Sequence, residues 1–202
     1  MIIFVQDFLP RLKNHLLGRL LGQEFTGDET EFTPAQQNSV TFLNNRLYRH
    51  KVLRINYTTY DLRRAQDSLN PRTHANVMVL AHEDDPQISH PYWYARIIGI
   101  FHAFVNHRSS PEPVHMDFLW VRWYGRDVGH RTGWNTKQLH RVGFVDGNDP
   151  QAFGFLDPSL IIRGCHLIPA FDHGRTKDLL PPSLARLNTE NDMDSVFYYV
   201  NM

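Results

Sequence analysis

The chain has 202 residues, 42% of them hydrophobic and 21% charged, enough for one domain with a sizeable core or one domain plus an appendage. Lys and Arg number 21 and Asp and Glu number 21, which argues against a protein held to nucleic acid by overall charge alone. The single cysteine, Cys165, excludes an internal disulfide framework and most structural zinc sites, and it suits a reducing compartment.

The opening MIIFVQDFLPRLK has no basic residue before its short apolar run, so it lacks the form of a signal peptide. No apolar stretch approaches the roughly 18 residues that span a bilayer. A soluble, intracellular chain with no membrane partner is expected. Over 8–21 the spacing predicts a helix with Leu9, Leu12, Leu16 and Leu20 on one face, Asp7 as cap, Pro10 in the first turn and Gly22 past the end. Residues 22–32 are polar and read as a linker. A second helix is predicted from Thr33 to about 49, with Pro34 in first position, Gln36 closing a capping box, and Val40, Leu43 and Leu47 as its apolar stripe.

Residues 52–57 then predict a strand, and 61–74 one or two helical turns stopped by Asn70-Pro71. Further strands are predicted near 76–81, 92–101, 118–124, 140–145 and 161–168, separated by turn-rich segments. Short strands and long loops point to an α+β chain: a helical arm over 1–50, then a small, mostly antiparallel β-barrel over 51–170. Residues 171–202 read as a loose extension, with an acidic loop and an apolar run whose stop at Met202 suggests a truncated gene or an exon boundary.

Familiar catalytic patterns are missing: there is no G-x-G-x-x-G, no G-x-x-x-x-G-K-[ST] and no G-x-S-x-G. Cys165 precedes His166, which on a strand points to the opposite face and is a poor base for it; Cys165 reads as a small buried residue. Among the 12 histidines, His102, His107 and His115 gather round one loop and form the best metal candidate, weaker than a reading as scattered histidines. Asp84-Asp85 precedes a proline and reads as a turn cap. No catalytic residue and no cofactor is assigned.

Two features carry binding chemistry. In 118–124 Phe118, Trp120, Arg122 and Tyr124 share one face, and Leu119, Val121 and Trp123 the other. In 92–100 Trp93, Ala95, Ile97 and Gly99 oppose Tyr92, Tyr94, Arg96, Ile98 and Ile100. The Leu119 face reads as core. The Arg122 face reads as partly wet, where aromatic rings can box a methylated lysine or stack on unpaired bases. Trp93, Trp120, Trp123 and Tyr124 are thus the candidate peptide contacts, against the plainer reading of a barrel core with arginine stems over tryptophan. Between residues 46 and 72, seven Arg and Lys face two aspartates, a local net charge of +5 with Tyr48, Tyr57 and Tyr60 interleaved. Arg54, Arg63 and Arg64 are the candidate phosphate contacts; the plainer reading pairs Arg63 or Arg64 with a nearby carboxylate.

YWYARIIGIF, FLWVRWYGRD and DPSLIIRGCHLI resemble the strand sequence of a bromo-adjacent homology (BAH) domain over about residues 76–170. Ala95-Arg96-Ile97, Val121-Arg122-Trp123-Tyr124 and Ile162-Arg163-Gly164-Cys165-His166-Leu167 stand at the family's motif positions. Gly125 intervenes before Arg126, and no proline follows that arginine, which departs from the pattern. Over nearly the whole chain, LRINYTTYDLRRAQDSLNPRTHANVMVLA together with these strands resembles the C-terminal region of fungal transposon-encoded proteins of the Plavaka type, in the CACTA-like group. That resemblance implies a non-catalytic tail module in the nucleus, with any transposase chemistry in an upstream domain, or else a stranded fragment without its own activity. The expected function is a non-enzymatic reader of a histone tail or other peptide, or of DNA. The alternatives are cytoplasmic location and, last, a metal enzyme built on His102, His107 and His115.

Overall fold

A computed structural model describes residues 8–23, 30–59, 61–81, 90–133 and 136–201. Asp7, Tyr60, Asp84-Asp85 and Met202 lie outside the described residues. The chain is α+β and mostly antiparallel β.

Helix α1 (Phe8–Leu20) forms where expected, with its buried arc turned toward Leu12, Leu16 and Leu17, while Leu9 is exposed. The helix lies on a sheet face made by Ala103, Val105, Met116, Phe118 and Phe155. Arg11 Nη2 donates to the Phe153 carbonyl at 2.6 Å and Arg19 Nη1 to the Asp117 carbonyl at 2.6 Å, which fixes the helix along the strands.

Helix α2 (Pro34–Asn38) has the expected capping box of Thr33 and Gln36 but lasts five residues. Asn44 and Asn45 adopt positive φ of 55° and 53°, a region asparagine tolerates better than most residues, and they end any helical path. Val40 still enters the core under α1. The stretch expected to stay helical instead supplies two edge strands, β1 (Thr41–Phe42) and β2 (Tyr48–His50).

β3 (Leu53–Thr58) and β4 (Arg64–Leu69) form a two-stranded hairpin. The helical turns expected over 61–74 are corrected by β4. Its strict alternation turns Ala65, Asp67 and Leu69 inward, and pairing with Leu53, Ile55 and Tyr57 outweighs the helix preference of Arg, Ala and Gln. The inward carboxylate of Asp67 accepts from the Gly164 amide at 2.7 Å and from the Tyr57 hydroxyl at 3.3 Å.

The main sheet is built on two long strands, β6 (Tyr92–Asn106) and β7 (Val114–Arg126), preceded by β5 (Asn76–Leu80). They pair from Tyr94↔Tyr124 to Val105↔Val114, with a bulge between Ile97 and Gly99. The extra residue, Ile98, puts Ile97 and Ile100 on one face, so Ile100 joins Ala95 and Ile97 in a core with Leu119 and Val121. The simple alternation had placed Ile100 opposite. A Cβ at Gly99 would meet the Phe101 ring at 2.3 Å, so only glycine fits beside that bulge.

Five further strands complete the sheet: β8 (Arg141–Phe144), β9 (Phe153–Leu156), β10 (Ile161–Gly164), β11 (His166–Pro169) and, after the separate β12 (Arg175–Thr176) and β13 (Asp194–Ser195) pair, β14 (Tyr198–Asn201). The path of paired strands runs β10-β5-β6-β7-β8-β14-β11, with β1 and β2 on β6 and β9 on β7. It does not close by hydrogen bonding into the expected barrel. Its two end strands are instead consecutive in the chain, separated only by Cys165, whose amide donates to the Asn76 carbonyl at 3.0 Å.

Residues beyond 170 belong to this fold rather than trailing from it. β14 pairs with both β8 and β11. Just before it, Asp194 receives both guanidinium nitrogens of Arg122, at 2.9 and 3.0 Å, and Arg186 Nη2 at 2.8 Å. The side chains of Arg122 and Asp194 are 0% exposed. The face of β7 expected to be partly wet is therefore interior: Arg122 lies 3.8 Å from the centre of the Phe144 ring, and the neighbouring Arg96 pairs with Glu190 at 2.8 and 3.0 Å.

Burial alone would raise the Asp194 carboxyl, but hydrogen bonds from Arg186 and Arg122 and their charges hold it below the ordinary aspartate range. A depressed carboxylate stabilises fully above its unfolded pKa of about 3.9, and its contribution is lost as pH falls through the folded value. Asp194→Asn, which leaves two buried guanidiniums uncompensated, is expected to lower the unfolding free energy by about 3–5 kcal/mol at neutral pH. In urea titrations the gap from wild type should narrow as the pH falls below about 4.

Candidate functional site

The four aromatic residues proposed as one peptide box do not converge. Trp93 and Trp123 meet edge to face at 6.4 Å and pack against the Ile97–Val121 core with Leu53 and Ile55. Trp120 lies on the opposite face of β7, edge-on to Phe8 at 5.5 Å and tilted against Phe153 at 6.2 Å. Tyr124, 6% exposed, stacks on Phe144 at 4.1 Å, meets Tyr198 edge-on at 5.6 Å, and donates its hydroxyl to Asn76 Oδ1 at 3.1 Å. Burial pushes its phenol above the ordinary tyrosine range, so it remains a neutral donor.

Cys165 is buried, and burial pushes its thiol up to about 12, which leaves it un-ionised and unreactive at neutral pH. His166 is exposed beside it.

The basic candidates lie on the hairpin, and its alternation sorts them. Arg54, Asn56 and Thr58 of β3 and Arg64, Gln66 and Ser68 of β4 form one exposed face, with Gln66 donating to Asn56 at 2.8 Å across the strands. The only acidic residue in either strand, Asp67, is turned inward onto Gly164. Arg54 and Arg64 therefore stand on a face without a carboxylate. Arg54 sits opposite Ser68 and Arg64 opposite Thr58, about 13 Å apart along the ladder. Arg63, in the connecting turn, pairs with Asp61 at 2.9 Å; both are well exposed, so this contact is weak. Arg46, Arg49 and Lys51 extend the exposed basic surface along β2 and its flanks.

Of the three histidines grouped in sequence, the structure brings two together. His107 turns away, its Nδ1 2.7 Å from the Ser109 hydroxyl and accepting the Ser109 amide. His102 and His115 stand on one face of β6 and β7 with ring centres 4.6 Å apart. Two residues missed from sequence complete the group. His50 of β2 places Nε2 2.6 Å from His102 Nδ1, and Asp117 lies directly across the ladder from His102. One donor atom from each of His50, His102 and Asp117 falls within 4.8 Å of the others, the one such set among the described residues. Partial burial first, then repulsion from His115 and His50, holds His102 below the ordinary histidine range, which favours the neutral ring with one lone-pair nitrogen. No signal within β2 could have marked His50, because its place depends on the pairing Tyr48↔His102 and His50↔Ile100 across about fifty residues of chain.

Because Tyr124 is a wall of the interior, Tyr124→Ala is expected to act on stability rather than on ligand binding. The unfolding free energy should fall by about 3–5 kcal/mol. Tyr124→Phe, which removes only the hydroxyl's hydrogen bond, should cost about 1 kcal/mol; denaturant midpoints measured side by side check both.

Compared with known proteins, the chain matches no family model, no curated protein and no solved structure.

Proposed function

We propose that the chain is a non-catalytic interaction module that binds DNA through the outer face of the β3–β4 hairpin. One observation carries this reading: the hairpin buries its sole strand carboxylate against Gly164 and turns Arg54 and Arg64 outward among four neutral hydrogen-bonding side chains. Such a face attracts phosphate without internal neutralisation, in a chain whose total charge is zero. Asn56, Gln66, Thr58 and Ser68 add donors and acceptors that phosphate and sugar accept equally well. A histone tail or other peptide is the weaker ligand, since Trp93, Trp120, Trp123 and Tyr124 share no common box.

The same reading keeps the BAH-like, Plavaka-type resemblance as its context. The segment Ile162-Arg163-Gly164-Cys165-His166-Leu167 forms the junction of β10 and β11, where the strand path passes from one end of the sheet to the other. In that context the module works in the nucleus on chromatin, and any strand-transfer chemistry belongs to a separate domain. No helix among the described residues is long and apolar enough to cross a membrane.

Fluorescence anisotropy with a short labelled duplex tests the proposal. Binding should weaken linearly in log–log plots against salt. Arg54→Ala and Arg64→Ala should each reduce the slope by about 1, whereas Arg63→Ala, whose charge is shared with Asp61, should reduce it less. Absence of binding at low salt, or a slope untouched by Arg54→Ala/Arg64→Ala, would overturn it.

A further inference from the structure

We propose that His50, His102 and Asp117 form a site for one divalent transition-metal ion of the zinc class, on the solvent side of the β2–β6–β7 ladder. The site is independent of the hairpin surface and of the DNA reading.

The backbone already holds the three ligands in place. Asp117 is the direct cross-strand neighbour of His102, and His50 is its diagonal neighbour on the other side. Three adjacent strands thus aim two imidazoles and a carboxylate from one face. Their donor atoms lie within 4.8 Å of one another. Ligands about 2.0–2.1 Å from a tetrahedral zinc ion stand roughly 3.3 Å apart, so side-chain rotations that open the His50–His102 pair from 2.6 Å and draw in the wider separations complete the set. The ladder itself need not move.

The arrangement also turns both imidazoles toward one point. The opposite face of this part of the sheet is sealed by α1, whereas the His50 face meets solvent, with His50 and Asp117 exposed. There His50 Nε2 and His102 Nδ1 meet in a hydrogen bond at 2.6 Å. One ring's N–H donates to the other's lone pair there. A dication that accepts a lone pair from each satisfies both nitrogens and balances the Asp117 carboxylate.

The surroundings fit a metal site. Tyr48 stacks on the His102 ring at 4.7 Å with the planes 8° apart, and Phe104 meets it edge-on at 5.6 Å, so the ring plane is fixed. Arg19 fixes the Asp117 main chain through its carbonyl while giving its charge to Asp157 at 2.6 Å. The carboxylate of Asp117 is thereby spared a guanidinium. The His115 Nδ1 lies 3.8 Å from it. Two imidazoles and a carboxylate match zinc or cobalt better than magnesium or calcium, which prefer all-oxygen shells. Three protein ligands leave a position for water.

The experiment uses the untagged, full-length chain stripped with chelator. Cobalt(II) is titrated while its visible absorption is followed, and zinc is then added in competition. One equivalent of cobalt should give a saturable band that one equivalent of zinc abolishes. His50→Ala, His102→Ala and Asp117→Asn should each weaken binding by more than about 100-fold, beyond the loss expected for an outer-shell partner. His107→Ala, which lies outside the cluster, should bind as wild type does. Circular dichroism confirms folding of each variant, and exposed His50 and Asp117 can be changed without touching the core. Absence of one-equivalent binding in the wild type, or wild-type affinity in folded His50→Ala or Asp117→Asn, would overturn the site.

Discussion

Arg122 sits near one end of the long β6–β7 pair, opposite Arg96, and its guanidinium points inward. A charge in that position is intolerable unless an opposite charge reaches it, because an unpaired buried ion costs several kcal/mol. The partner, Asp194, lies 72 residues away in sequence. Arg186 reaches the same carboxylate and ties back to the Leu180 carbonyl at 2.6 Å. Two guanidiniums on one carboxylate leave positive charge in excess, and the Phe144 ring face beneath Arg122 takes part of it. The Nε atoms of Arg122 and Arg186 have no hydrogen-bond partner, so the cluster is no great source of net stability. Residues 186–194 thereby complete the interior environment of this part of β7.

From that constraint the rest of the architecture follows. With Arg122 and Tyr124 interior on one face and Val121 and Leu119 interior on the other, β7 is covered on both sides over its second half. Each long strand serves two sets of neighbours. β6 takes β5 along its first part and β2 and β1 along its second; β7 takes β9 along its middle and β8 at its end. The bulge at Ile98 absorbs the change between them. Beyond it, α1 covers only one face, and the other emerges as the Tyr48, His50, His102 and Asp117 surface.

Much of this was legible in sequence where the signal is local. The α1 period, the Thr33 capping box and the strands around 76–81, 92–101, 118–124 and 140–145 rest on neighbours within a few residues, and they form. β4 was not legible, because Arg64-Ala65-Gln66 favours helix and only the facing β3 makes its alternation decisive. Arg122 misled for the same reason. An arginine on an aromatic face reads as wet until a carboxylate from a distant segment is known to meet it. The aromatic density was noted, and alternation already set Trp123 on the face opposite Trp120 and Tyr124; what it could not reveal is that each face is packed over by other segments. The histidine group was half legible: His102 and His115 come from one hairpin, whereas His50 needs the register of β2 on β6.

The passage of one chain segment from β10 through Cys165 to β11 has a bearing on how this molecule keeps company with copies of itself. A sheet with two loose margins offers backbone amides and carbonyls to any passing strand, the usual start of intermolecular β-stacking. Here the two ends of the main strand path are halves of the same nine-residue stretch, Ile161 to Pro169, each only four residues long. On the β10 side, the Gly164 amide is held by the Asp67 carboxylate of the overlying hairpin. Little straight, unclaimed backbone remains there for a foreign strand to extend. At these two ends the short, partly claimed strands offer a poor template for intermolecular strand pairing.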